Sequence, residues 1–255
     1  MDRQRFHEIA KRIEENGQAA SAGIGTLGEK RLHAVLKQYF EPDIDKREVK
    51  IGGYIADIVR ENTIIEIQTR SFDRLRPKLD AYLDAHQVTV VYPIPRVKWI
   101  SWIDREEGTI SKRRKSPKTG TICDAFYELY KIKKHLTHPN LHLCFVMLEV
   151  DEYRYLNGWS RDKKRGSSRC ERIPIDIYEE IEINKPSEYV RLVPDSLATC
   201  FTSKDFETAA KISRSCAQRA INVLHFVGAI ERKGKKKNLY VYERAANGHC
   251  AINRG

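Results

Sequence analysis

Residues 54–69, YIADIVRENTIIEIQT, constrain the fold of this chain more than any other stretch. Two strand-like runs, about 54–60 and 63–69, flank Glu61-Asn62, and a two-residue turn there pairs Arg60 with Thr63. Carried away from the turn, that register stands Asp57 directly opposite Glu66. Alternation at period two puts Gln68 on the same face and turns Ile65 and Ile67 the other way. Opposed like charges destabilise a hairpin, yet Glu66 interrupts Ile64-Ile65-Glu66-Ile67, an otherwise apolar strand of the kind that is buried. A hard divalent cation, Mg²⁺ or Mn²⁺, resolves the conflict: it takes one or two carboxylates plus waters, and the carbonyl of Ile67 adds an oxygen. The alternative is a pair of solvent-facing charges on an edge hairpin.

The flanking pattern extends this hairpin into a larger unit. A run at 44–51, joined through Gly52-Gly53, makes a three-strand meander. Before it, residues 1–20 read as a charged helix, the small-residue stretch 21–25 lets the backbone turn, and a second helix starts at Thr26. Leu32, Val35, Leu36 and Tyr39 form its buried stripe, and Glu41-Pro42-Asp43 stops it. Glu29 falls on that stripe. Thr26-x-x-Glu29 also matches a capping box, so Glu29 either satisfies a backbone N–H or turns toward the sheet to hold a metal or position water. After the meander, 72–86 is helical with Phe72, Leu75, Leu79 and Leu83 on one side, and VTVVYPIP at 88–95 is a short apolar strand. Further on, 97–103 reads as a separate strand, 111–120 (SKRRKSPKTG) as a basic loop, 121–136 as a helix and 141–150 as a strand. Residues 151–200 give no clear assignment.

The chain has 255 residues, with 46 Lys plus Arg against 35 Asp plus Glu, a net charge of +11 that favours a polyanionic partner. Its 41% hydrophobic content suffices for a core. No run approaches the roughly 18 apolar residues of a membrane span, and the start is too charged for a secretory signal, so the expected setting is the cytoplasm, in association with the nucleoid. Six cysteines without a C-x-x-C pair indicate reduced thiols rather than disulfides. His135, His138, His142 and Cys144 fit no common zinc spacing. The basic runs 111–120 and 161–169 read as solvated loops or as tracks for a DNA backbone. Tyr153, Tyr155 and Trp159 suit either packing or base stacking.

The C-terminal sixty residues resemble a winged helix-turn-helix. Thr202 and Asp205 cap a first helix at 203–212, Ala217, Ala220, Ile221 and Leu224 form the buried stripe of a second at 214–227, and a basic hairpin at 230–243 is the wing. Arg214, Ser215, Gln218, Arg219 and Asn222 lie off the stripe, where Gln and Asn suit adenine and Arg suits guanine or phosphate. Lys235, Lys236 and Lys237 on the wing suit phosphates. A purely protein-contacting role is the other reading of this module.

The order of elements, with Glu29 on a helix, Asp57 on one strand and Glu66-Ile67-Gln68 on the next, resembles the core of the PD-(D/E)XK, restriction-endonuclease-like nuclease superfamily over about residues 24–95. The resemblance implies an α/β fold with an αβββαβ core and a C-terminal winged-helix module. Domains are expected at 1–23 (helix), 24–150 (nuclease-like), 151–200 (extension or linker, partly basic), 201–245 (winged helix) and 246–255 (tail). It also implies metal-dependent hydrolysis of DNA phosphodiesters, with Asp57, Glu66, Ile67 and Glu29 around Mg²⁺ and Gln68 orienting the attacking water. The usual lysine of the superfamily is Gln68 here, and a neutral amide only orients water. The alternative is a DNA-binding regulator whose nuclease-like core is inactive, and a third reading is a junction- or repair-directed nuclease. Cutting both strands calls for two active sites, as a homodimer supplies.

Overall fold

The structure is a computed structural model that describes residues 1–20, 28–159 and 165–245; the side chains of 16–20, 28–30, 158–159 and 165–167 lie outside that description. In chain order the elements are α1 (Arg3–Ala20), α2 (Gly28–Phe40), β1 (Arg47–Ile51), β2 (Tyr54–Arg60), β3 (Thr63–Ile67), α3 (Arg76–Tyr82) and β4 (Gln87–Asp104). There follow β5 (Thr109–Ile110), β6 (Arg114–Lys115), α4 (Phe126–Leu129), β7 (Leu141–Trp159), β8 (Arg165–Ile183), β9 (Cys200–Thr202), α5 (Ser203–Ala210), α6 (Arg214–Phe226), β10 (Ile230–Lys236) and β11 (Leu239–Arg244). The protein is mixed α/β. A large mixed sheet has the order β1-β2-β3-β4-β7-β8, with β5 and β6 on β4, and a second sheet has the order β10-β11-β9. Among the described residues no helix is long and apolar enough to cross a membrane.

Several boundaries differ from the sequence reading. Residues 44–46 form a 3₁₀ turn, capped by the Asp43 carboxylate, rather than the start of a strand. The expected separation between the strands 88–95 and 97–103 is absent, and β4 runs as one strand of 18 residues. The expected helix at 121–136 is three short turns, with Ile132 at non-helical φ −108°. The unassigned 151–200 is largely sheet, as β7 and β8 have 19 residues each. The long strands β4, β7 and β8 each pass from one to the other of two compact units, neither of them contiguous in sequence. One comprises Met1–Val49, Pro93–Gly120 and Val146–Glu180; the other comprises Lys50–Tyr92, Thr121–Phe145 and Ile181–Gly255.

In the first unit, α2 buries Leu32, Val35, Leu36 and Tyr39 as its spacing predicts. Phe6 of α1 meets Tyr39 edge-on at 5.4 Å, and the Tyr39 hydroxyl accepts from the Asp2 N–H and donates to Glu180. Arg3 and His7 both engage the Asp176 carboxylate. The 95–120 segment closes on itself through Gly120, whose N–H donates to the Arg96 carbonyl at 3.1 Å.

In the second unit, β2 and β3 are antiparallel with Arg60 opposite Thr63, Val59 opposite Ile64 and Ile58 opposite Ile65, the register that the two-residue turn demands. Glu61 takes the left-handed φ of 47° in that turn. β3 then pairs in parallel with β4, Thr63 to Gln87 through Ile67 to Val91, which makes β3 an interior strand. The connection is a 3₁₀ turn at Phe72–Leu75 followed by α3, burying Phe72, Leu75, Leu79, Tyr82 and Leu83. The C-terminal elements belong to this unit too. Thr202 and Asp205 form the expected capping box, and Phe206 meets Phe126 at 6.1 Å. Cysteines 123, 144, 170, 200 and 216 form no disulfide.

A methyl group on Gly120 would lie 2.2 Å from the Pro95 carbonyl oxygen, a backbone atom with no room to move aside. Gly120→Ala should therefore lower stability by about 1–3 kcal/mol, read as a shift in urea midpoint at constant m-value. An unchanged midpoint would mean that this close backbone approach is not part of the native state.

Candidate active site

Residues of β2, β3 and α3 converge on one carboxylate. Glu66 is 2% exposed in a strand whose residues 64–67 are all buried. Lys78 reaches it from α3, with Nζ at 3.0 Å from Oε1 and 2.8 Å from Oε2, and donates a further bond to the Ile55 carbonyl at 2.6 Å. Asp57 comes from the neighbouring strand. The β2–β3 ladder runs from Arg60–Thr63 to Ile58–Ile65, and beyond it Asp57 Oδ2 accepts the Ile67 N–H at 2.8 Å. The carboxylate thus replaces a backbone acceptor where the hairpin opens, which keeps Asp57 beside Glu66. The Tyr82 hydroxyl completes the group. It is fully buried, feels both carboxylates, and has no hydrogen-bond partner among the described residues.

Burial first, and then the charge of Asp57, push the Glu66 carboxyl up to about 7, while Lys78 pulls in the opposite direction. Burial and the two carboxylates likewise hold the Tyr82 phenol at about 12. The negative charge on this pair exceeds what Lys78 offsets. Two carboxylates on adjacent strands suit a hard divalent cation completed by water, so the donor set fits Mg²⁺. Among the described residues no third His, Cys, Asp or Glu joins them.

Other expected members stand elsewhere or differently engaged. Gln68 lies past the end of β3; its N–H donates to the Val91 carbonyl, and its side-chain nitrogen donates to Arg70 O at 2.5 Å and Ser71 O at 3.3 Å. Glu29 is in the first turn of α2, but its side chain and all of Thr26 lie outside the described residues, and so does the expected capping box. Ile67 enters through its N–H on Asp57. The zinc reading finds no shared centre: His135 pairs with Asp80 at 2.7 Å, His138 accepts from the Asn140 N–H, and His142 meets Asn184.

Lys78 and Tyr82 were not singled out from sequence, although a signal existed. Both fall on the stripe of α3 defined by Leu75 and Leu79, at the i, i+3, i+4, i+7 positions. A lysine on a buried stripe demands a buried anion, and Glu66 is that anion.

On α6, Arg214 and Gln218 are exposed and make no hydrogen bond or ion pair among the described residues. The other expected contacts are partly committed to residues 127–133. Tyr127 meets the Ser213 and Ser215 hydroxyls at 2.7 and 2.8 Å, Arg219 stacks on Tyr127 at 4.9 Å, and Lys133 donates to Asn222 at 2.9 Å. Gln218 and Asn222 also line a groove with Asn238, Leu239 and Tyr240 of the hairpin. Lys235, Lys236 and Lys237 are exposed at its tip, Lys235 lying 4.9 Å from the Tyr240 ring.

Fold and site together define a mixed α/β protein in which a buried carboxylate, Glu66, stands beside the half-buried Asp57 and is partly neutralised by a helix lysine. The chain belongs to the family described as "Domain of unknown function (DUF8091)", whose model matches residues 30–184. That span contains Asp57, Glu66, Gln68 and Lys78 and leaves out the C-terminal helices and hairpin. A protein of Treponema pallidum (strain Nichols), described as an "Uncharacterized protein", is similar to it: 38% identical over 144 residues, covering 55% of this chain and 57% of the relative. This chain therefore matches little more than half the length of that relative. No solved structure matches the chain.

A carboxyl raised on folding keeps a proton that the unfolded chain releases. Its contribution to stability is present below the unfolded value of about 4.5 and is lost as pH rises through about 7. Wild type should lose up to roughly 3 kcal/mol between pH 4.5 and 8 relative to Glu66→Gln, measured by urea denaturation across that range without divalent cations. Parallel pH profiles for the two proteins would show that Glu66 does not titrate in this way.

Proposed function

We propose that the protein is a metal-dependent DNA endonuclease of the PD-(D/E)XK kind, with its C-terminal module acting as a DNA-binding winged helix. The observation that supports this most is the meeting of Asp57, Glu66 and Lys78 at the opening of the β2–β3 hairpin. It supplies the two carboxylates of the motif together with a lysine that the strand position, occupied by Gln68, lacks. Asp57 and Glu66 would hold the cation, which when bound supplies positive charge against the phosphate oxygens and a more acidic water. Lys78 stabilises negative charge at the same place and pulls the Glu66 carboxyl down against burial and Asp57, which together raise it to about 7. Tyr82 is buried within the field of both carboxylates, which with burial hold its phenol protonated. Gln68 pins the loop at Arg70 and Ser71 through its amide nitrogen, a structural duty alongside the water-orienting role that the motif suggests. Glu29 belongs to the proposal on sequence grounds alone.

The order β9, α5, α6, β10, β11 with the sheet order β10-β11-β9 supports the winged-helix reading. The open groove between α6 and the hairpin is lined by Gln218 and Asn222, which favours base contact from that side. Net charge and the exposed Lys235–Lys237 tip favour DNA as partner. A homodimer would furnish a site for each strand.

A second reading, a DNA-binding regulator with an inactive core, has its own support. Lys78 bonds both Glu66 oxygens and the Ile55 carbonyl at once, the arrangement of a closed structural ion pair. Cleavage of plasmid, linear and branched DNA with and without Mg²⁺ separates the two. Under the nuclease reading Asp57→Asn abolishes cleavage and the Mg²⁺-induced rise in melting temperature. Lys78→Met lowers the rate about a hundredfold or more with DNA affinity retained, and Gln68→Ala lowers it less. If wild type cuts no DNA form and its melting temperature ignores Mg²⁺, the regulator reading replaces this one.

Replacing Lys235, Lys236 and Lys237 together with Ala should weaken duplex binding and reduce the slope of log K against log salt by about 2 to 3, as lost phosphate contacts release fewer counterions. Fluorescence anisotropy over a salt series measures this. An unchanged slope would remove the hairpin from the DNA interface.

A further inference from the structure

Residues 96–118 carry a second concentration of positive charge, and its arrangement differs from that of a solvated loop. β6 pairs with β4, Lys115 opposite Trp99 and Arg114 opposite Ile100, while β5 pairs Ile110 with Ile103. Along this ribbon cations lie on aromatic rings. Arg113 is 4.0 Å and Lys115 5.9 Å from the Trp99 ring, Arg114 is 5.1 Å from Trp102, and Arg105 is 3.7 Å from Tyr155. The four cations are exposed and the three rings half-buried. Arg113 also pairs with Asp151 at 2.6 Å, whereas Arg105, Arg114 and Lys115 have no carboxylate within ion-pair distance among the described residues.

The strand beside the rings continues the charge. Lys98, next to Trp99, receives the Ser116 N–H on its carbonyl. Its ammonium shares the field of one carboxylate, Glu152, with Arg154 and Arg172. Glu152 is 1% exposed and accepts from Arg154 Nε and Arg172 Nε, each at 2.7 Å. Burial opposes its charge, yet Arg172 and Arg154 overcome that and hold the carboxyl at about 2. Three cations therefore face a single anion, with Lys118 adding to the same field. An anionic ligand would neutralise what Glu152 leaves over.

We propose that this ribbon and the Lys98–Arg154–Arg172 cluster form a binding surface for single-stranded nucleic acid, with phosphates on the cations and bases on Trp99 and Trp102. A guanidinium lying on a ring keeps its N–H edges directed outward in its own plane, where a phosphate takes them as a fork. Neutral rings hold these cations in place without cancelling their charge, as a carboxylate would. A single strand uses both the charge and the half-exposed indoles, because its base faces are open; a duplex hides its base faces and uses only the charge. This surface shares no residue with the Asp57–Glu66 site and does not depend on its chemistry.

The test uses the full chain carrying Lys235→Ala, Lys236→Ala and Lys237→Ala, so that the hairpin tip does not mask the result, with a fluorescein-labelled oligothymidylate as probe. Titration should quench tryptophan emission, and the quench should persist after Trp159→Phe and shrink after Trp102→Phe. Adding Arg114→Ala and Lys115→Ala should weaken binding about tenfold or more, with the melting temperature nearly unchanged. Unchanged affinity in that variant overturns the assignment, and so does an absence of quenching. Equal affinity for a duplex of the same length and for heparin, without quenching, assigns the surface to bare charge attraction instead. Binding to vesicles of anionic phospholipid in place of DNA overturns it in favour of a membrane surface. Because no arm measures cleavage, its failure is distinguishable from failure of the nuclease reading.

Discussion

A carboxylate inside an interior β-strand imposes conditions on everything near it. β3 is paired on both sides, so Glu66 has little access to bulk water and its charge must be met by the protein. Lys78 meets it from α3, which requires the crossover between β3 and β4 to bring that helix over the Glu66 side. Asp57 adds a second negative charge and opens the hairpin ladder by capturing the Ile67 N–H. Tyr82, buried and without a hydrogen-bond partner among the described residues, sits in the same field. A core built only for stability would place apolar side chains here, and replacing such a polar group with well-packed hydrophobic residues is often neutral or stabilising. The persistence of this cluster within an apolar strand is the reason to look for chemistry there.

The positive charge is distributed in a complementary way. At the hairpin tip of β10 and β11, and along β4 to β6, cations are exposed and lie against tyrosine and tryptophan rings. At the carboxylate pair the cation is singular and largely enclosed, Lys78 being 24% exposed. Exposed cations attract a polyanion from a distance and lose strength with salt, while an enclosed one acts on a neighbouring group at short range. The exposed cations and the enclosed one thus lie in different parts of the chain.

The hairpin was legible because its determinants are local. The turn at Glu61-Asn62 set the register, alternation set the faces, and the stripes of α2 and α6 followed from helical spacing. Lys78 was not legible as a partner of Glu66, since the sequence shows a lysine on an apolar stripe but not which strand that stripe covers. β8 was missed for another reason. Ile173, Ile175, Ile177, Ile181 and Ile183 do alternate in a way that fits a strand, but the charged residues and Pro174 between them mask the pattern. The strands at 88–95 and 97–103 were read apart although they are one, since proline at 93 and 95 is tolerated in a strand where no ladder N–H is required of it. The position of Ser215, Arg219 and Asn222 against Tyr127 and Lys133 depends on a segment distant in sequence, which no local pattern reveals.

The parallel pairing of β3 with β4 has a kinetic consequence. Asp57, Glu66, Lys78 and Tyr82 all lie on one strand–turn–strand–helix stretch, so bringing them together requires closing a two-residue turn and one short crossover. The loop-closure entropy of such a stretch is small compared with that of joining β4, β7 and β8 along their full lengths. The polar cluster is therefore a low-contact-order feature in a protein whose long strands are high-contact-order ones. On contact order alone its charges would meet before the large sheet around them is complete, so that a folding chain would carry their repulsion through the slowest part of its assembly.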